Sequence, residues 1–143
     1  MVIAVDFDGT IVEHRYPEIG REIPFAIDTL KMLIADRHKV ILWTVREGKL
    51  LDDAVEWCRE RGVEFYAVNK DYPEEKKEYN NHFSRKIKAE VWIDDRNLGG
   101  LPDWGEMYTM IKEHKSFENM IAEAKKTRLS DHSAPKRKNW WGK

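Results

Sequence analysis

Short apolar runs and longer stretches of helical spacing alternate along this chain. Val2-Ile3-Ala4-Val5 is continuous and rich in β-branched residues, the pattern of a buried strand. After a polar loop from Ile11 to Glu22, Ala26, Ile27, Leu30, Leu33 and Ile34 recur at helical spacing. With Pro24 suited to a first turn, they predict an amphipathic helix from Pro24 to about Arg37. Val40-Ile41-Leu42-Trp43 reads as a second strand. A second helix follows from about Lys49 to Arg61, with Leu51, Ala54, Val55 and Cys58 on one face and Gly62 as its stop. Phe65 to Val68 predicts a third strand, Asn69 to Arg85 a long polar loop, and Val91-Trp92-Ile93 a fourth strand.

Beyond Gly99-Gly100-Leu101-Pro102, the spacing of Met107, Met110, Ile111, Phe117, Met120, Ile121 and Ala124 predicts one interrupted or two short closing helices. From about Arg128 the helical periodicity is lost. The expected organisation is therefore one catalytic-size domain over 1–127 and a polar, basic tail over 128–143. Strands separated by helices imply a parallel sheet with right-handed crossovers. The predicted class is α/β: a three-layer α/β/α sandwich around a central parallel, Rossmann-like sheet.

The chemistry-bearing residues follow the strands. Asp6 and Asp8 end the first, in Asp6-Phe7-Asp8-Gly9-Thr10; Thr44 and Arg46 follow the second; Asp94 and Asp95 end the fourth. Carboxylates at the end of a buried strand are costly unless something pairs with them. In a parallel sheet these strand ends share one edge, where ligands bind. Gly9 allows a tight turn or a close backbone approach. Lys86 and Lys88 precede the last strand and could reach the same edge.

Composition narrows this reading without redirecting it. The net charge of -1 gives no electrostatic case for nucleic acid or membrane binding. The single cysteine, Cys58, excludes an internal disulfide and a Cys-based zinc site, and suits a reducing compartment. Asp6 interrupts the first apolar run too early for a signal peptide, and a cytoplasmic location is expected.

The run VIAVDFDGT, Thr44 after VILW, and a lysine ahead of an apolar strand ending in acids in KIKAEVWIDD together resemble the motifs of the haloacid dehalogenase superfamily of phosphatases and phosphotransferases. The resemblance covers roughly residues 1–95. It implies a Mg2+-dependent phosphatase acting on a phosphate monoester, a sugar or nucleotide phosphate among the candidates, with Asp6 as nucleophile forming an aspartyl-phosphate. It further implies Asp8 as general acid and base, Thr44 as a phosphoryl contact, and Lys86 rather than Lys88 as the catalytic cation. The metal would be held by Asp6, the Asp8 backbone carbonyl and Asp94, with Asp95 in support. The chain departs from the family pattern where Ile87, not proline, follows Lys86. It has no room for a cap domain, which leaves the site open to a bulky substrate or to a lid from a neighbouring subunit in an oligomer.

Other readings are weaker. A phosphotransferase or mutase would share the motifs, and a non-catalytic phosphate-binding regulatory protein could keep the fold, although the complete acidic set argues against the latter. Arg46 is either a phosphate contact or a surface cation. His14 and Tyr16, in the loop after the nucleophile, are candidate substrate contacts. The five histidines show no ligand spacing. Trp43 and Trp92 are expected in the core, Trp57 over a helix edge and Trp104 as an anchor of the closing segment. Trp140 and Trp141 sit in the tail, where a self-docking or disordered segment is favoured over nucleic-acid stacking.

Overall fold

Val2–Val5 forms the central strand, β1, in a computed structural model that describes residues 1–76, 87–113 and 126. The elements follow as α1 (Ala26–Ala35), β2 (Lys39–Leu42), α2 (Gly48–Glu60), β3 (Ala67–Val68), β4 (Val91–Ile93) and α3 (Trp104–Lys112). All strand pairs are parallel and the sheet order is β3-β2-β1-β4. The result is a small α/β, Rossmann-like fold with no cap domain among the described residues, as the alternation of apolar runs predicts. The chain divides into two units, Met1–Tyr108 and Thr109–Lys143; the sheet and the candidate site belong to the first. The tail from residue 128 onward lies outside the described residues. No helix among the described residues is long and apolar enough to cross a membrane.

The order of the strands determines where each connection runs. From β1 the chain steps to β2 and then to β3 in one direction, so right-handed crossovers set α1 and α2 on one face of the sheet. Phe7, which shares the side-chain parity of Ile3 and Val5, meets Trp57 of α2 edge to face at 5.9 Å. The return from β3 to β4 runs the other way and brings Ile87 and Ala89 to the opposite face, where they pack with Ala4, Ile41 and Ala67. Trp43 and Trp92 meet edge to face at 6.0 Å and join this cluster half-buried. Winding thus reverses between β1 and β4, and a crevice opens beyond their carboxyl ends.

Three local expectations are corrected. The first helix begins at Ala26, not at Pro24, because Phe25 adopts φ +66°, which breaks the helix, and the Glu22 carboxylate accepts from the Ile27 N–H of the first turn. The stretch from Ile11 to Glu22 is more than a polar loop: Ile11 and Val12 are fully buried. Its backbone folds into a flap, with Glu13 N–H bonded to the Arg21 carbonyl and Ile23 N–H to the Ile11 carbonyl. The third strand is shorter than the apolar run suggested, because pairing with β2 extends only over Ala67 and Val68. The stop at Gly62, by contrast, is as predicted, with φ +88° and its N–H on the Arg59 carbonyl.

Candidate metal site

The carboxylates of Asp6, Asp94 and Asp95 each offer an oxygen, and these oxygens lie within 4.8 Å of one another. Two come from the end of β4 and one from the end of β1, its hydrogen-bonded neighbour, so the parallel register itself brings them together. Asp6 N–H on the Ile93 carbonyl continues that ladder one step past the strands. No cysteine or histidine belongs to the cluster. Three oxygen donors in this arrangement could hold a hard metal ion.

The turn after Asp6 is built for close approach. The Phe7 carbonyl accepts from the N–H groups of Thr10, Ile11 and Val12, one tight turn that carries the chain away from the strand end. Gly9 has φ +83°, and a Cβ there would overlap the Asp95 carboxylate. Only glycine meets both conditions. Thr10, fully buried, ties the two strand ends: its hydroxyl oxygen accepts from the Asp95 N–H at 3.1 Å, and lies 3.4 Å from both Asp6 Oδ2 and Asp95 Oδ1. Its carbonyl in turn accepts from Trp104 Nε1 at 3.0 Å. Trp104 anchors the closing segment as expected, and it braces the acidic turn as well.

Electrostatics follow from this crowding. Burial pushes the Asp6 carboxyl up from its ordinary 3.8 to about 6; the Phe7 backbone N–H opposes the shift, while Asp94, Asp95 and Asp8 add to it. A cation among these oxygens would relieve the repulsion.

The Asp8 side chain takes no part in the cluster. It is gripped by Arg46, with Nε on Oδ2 and Nη2 on Oδ1, both at 2.7 Å. Arg46 is fully buried, so the surface-cation reading does not hold. Nη1 donates to the Pro17 carbonyl and Nη2 also to that of Glu18, which fastens the flap. The aromatic rings of Phe7 and Tyr16 lie 5.1 and 5.2 Å from the guanidinium. The bond to Asp8 raises the Arg46 pKa further above its already high value, so the cation is permanent.

A cleft of about 370 Å³ opens over these groups, lined among others by Asp6, Asp8, Thr44 and Asp94. His14 and Tyr16, from the flap, line it too. The Thr44 hydroxyl oxygen accepts from the Arg46 N–H at 3.2 Å, and the Thr44 N–H donates to Asn69 Oδ1 at 2.8 Å. Asn69 was missed as a site residue, although it follows β3 just as Thr44 follows β2. Its φ of +52° is one that asparagine tolerates better than most residues. Lys86 lies outside the described residues. Lys88 is exposed, with its backbone N–H on Asp71 Oδ1.

No protein-family model and no curated protein matches the chain. A solved structure does: that of a conserved protein coded by a locus of Bacteroides thetaiotaomicron, 67% identical, with a TM-score of 0.76. The match covers 84% of this chain and 96% of that one. At that identity over nearly its whole length, the chain belongs to the same family as the Bacteroides thetaiotaomicron protein.

Proposed function

We propose that the protein is a Mg2+-dependent phosphatase of the haloacid dehalogenase type, hydrolysing phosphate monoesters through an aspartyl-phosphate on Asp6. The observation that carries the reading is the convergence of the Asp6, Asp94 and Asp95 oxygens within 4.8 Å, with Asp6 and Asp94 lining an open cleft. An all-oxygen donor set with half-buried carboxylates and no nitrogen or sulfur suits a small hard cation such as Mg2+. Asp6 and Asp94 would hold it together with the Asp8 backbone carbonyl, and Asp95 is near enough to join or support them. When bound, the ion would neutralise the acids and offset the charge of the incoming phosphate.

The chain's own residues supply the remaining parts. Asp6, first acid after the central strand, would attack phosphorus with a carboxylate oxygen and displace the alcohol. Thr44, whose hydroxyl oxygen already accepts from the Arg46 N–H, has its O–H to donate to a phosphoryl oxygen. Asp8 would move the proton: to the leaving alcohol in the first step, and from water in the second. Both Asp8 oxygens are bonded to Arg46 in this structure, the arrangement of an ionised carboxylate.

The test is a panel of phosphate monoesters assayed with Mg2+ and with chelator. The reading predicts release of inorganic phosphate that depends on Mg2+, and covalent labelling at Asp6 in the quenched reaction. Absence of turnover across the panel would reject it. Transfer of the phosphoryl group to an added alcohol in preference to water would replace hydrolysis with phosphotransfer.

A further inference from the structure

The cleft has an apolar side that phosphoryl transfer does not use. Tyr16, Trp43 and Val45 line it beside the acids. Tyr16 is 48% exposed and Val45 84%. Large apolar side chains left in water around a cleft mark a surface that a ligand covers.

Tyr16 stands on an exposed loop, where a side chain would ordinarily move freely, yet its ring lies 5.2 Å from the Arg46 guanidinium. That guanidinium is fully buried and fixed by two bonds to Asp8. Its two remaining bonds go to the carbonyls of Pro17 and Glu18, the residues that immediately follow Tyr16. One buried side chain therefore holds both the ring and the backbone that carries it. An aromatic surface fixed before the ligand arrives loses little freedom on binding, which favours affinity. Of the polar lining, Asp6, Asp8, Thr44 and Asp94 are committed to phosphate, proton and metal, and His14 and Arg96 are exposed side chains. A polyhydroxylated alcohol would leave Tyr16 and Val45 uncovered and find few fixed polar partners.

We infer that Tyr16, with Val45 and Trp43, is the wall that selects the alcohol portion of the substrate, and that the preferred phosphate monoesters carry an aromatic or other planar apolar group next to the phosphate. The inference rests on the phosphatase reading and deepens it.

Benzyl phosphate and propyl phosphate test it, because both release a primary alcohol and differ mainly in the ring. With Mg2+ present, kcat/KM for benzyl phosphate should exceed that for propyl phosphate by at least about tenfold, mostly through KM. Tyr16→Ala should bring the ratio of the two close to one, and Tyr16→Phe should restore most of it. Turnover of both esters at equal efficiency would overturn the wall and leave the phosphatase reading standing. A ratio that survives Tyr16→Ala would overturn the assignment to Tyr16. Turnover of neither ester, with phosphate released from other monoesters of the panel, would overturn the wall alone; no release from any of them would remove the phosphatase reading as well.

Discussion

Arg46 holds both carboxylate oxygens of Asp8 at 2.7 Å, with no exposed surface of its own. A planar guanidinium matches a carboxylate in this two-bonded geometry, which the point charge of a lysine cannot reproduce. The same side chain binds two flap carbonyls, so the pair links the acidic turn after β1 to the flap.

Breaking that pair from one side should be costly. Arg46→Met leaves Asp8 buried without a partner, and the expected loss is about 3–5 kcal/mol of folding stability. The double variant Asp8→Asn with Arg46→Met should recover a good part of it, since no charge is then stranded. Urea unfolding of the two single variants and the double variant measures the coupling. A coupling energy near zero would mean that the pair contributes nothing beyond its separate members.

Asp6 and its acidic neighbours predict a definite pH response. Its carboxyl is raised from 3.8 to about 6, so the folded protein binds this proton more tightly than the unfolded chain does. Relative to Asp6→Asn, stability of the metal-free protein should therefore fall as pH rises from about 4 to about 6, with no further loss from this group above that range. Mg2+ binding must displace the same proton, so the stabilisation it gives should be small below about pH 6 and grow above it. Thermal melts across pH, with chelator and with Mg2+, check both halves. A metal-free melting temperature whose pH course is the same in Asp6→Asn as in the parent would contradict the assignment.

Replacing Asp6 by Asn separates its chemical and structural roles. The amide is nearly isosteric but cannot form the acyl-phosphate, so kcat should fall by more than about a thousandfold. The metal-free fold should become more stable at pH 7, because the charge disfavoured by burial and by three neighbouring acids is gone. A variant that keeps more than about a tenth of the rate, a difference of about 1.4 kcal/mol in barrier, would remove Asp6 from the nucleophile role.

Much of the site was legible because its residues obey one rule: a polar side chain directly after a buried apolar strand. Asp6, Thr44 and Asp94 were read that way, and all three line the cleft. Arg46 resisted the rule. Two residues past its strand, with the charge of a typical surface residue, it is buried only because the flap folds over it and Asp8 turns towards it. Neither event has a local signature. The flap was read as a polar loop for a similar reason. Its buried residues are only Ile11, Val12 and Gly20, and its ladder pairs residues several positions apart. The start of α1 was misplaced because Pro24 permits a first turn but does not require one, and the positive φ of Phe25 is set by the flap's return. Helix α2 and strand β4, which depend on neighbouring residues, were read to within a residue.

Gly9 offers a test of close packing at the acids. Gly9→Ala places a Cβ against the Asp95 carboxylate at a φ of +83°. The backbone strain alone is worth about 1–2 kcal/mol, and the displaced carboxylate adds to it. Stability should fall by at least that amount and Mg2+ affinity should weaken with it. Unchanged Mg2+ affinity in a folded Gly9→Ala protein would place Asp95 outside the metal's surroundings.

Thr10 sits at the junction of the two strand ends, and its hydroxyl touches both acids' segments. It accepts from the Asp95 N–H at 3.1 Å and is within 3.4 Å of an oxygen of Asp6 and one of Asp95. A single hydroxyl proton serves one of those oxygens at a time, so its main contribution is to fix the Asp95 backbone and hold the two carboxylates in register. Thr10→Val preserves the shape and removes that contact, leaving the Asp95 N–H without its partner at a cost of about 1–3 kcal/mol. If the acids form a metal site, the loss should also appear as a roughly 10–100-fold weaker affinity for Mg2+, the usual effect of deleting a group that orients metal ligands. Isothermal titration with Mg2+ and kinetics at saturating Mg2+ separate the two effects. A positioning role predicts that much of the lost rate returns when Mg2+ is raised, whereas a direct role in chemistry predicts that it does not. Loss of stability with unchanged Mg2+ affinity would reduce Thr10 to a brace for the fold.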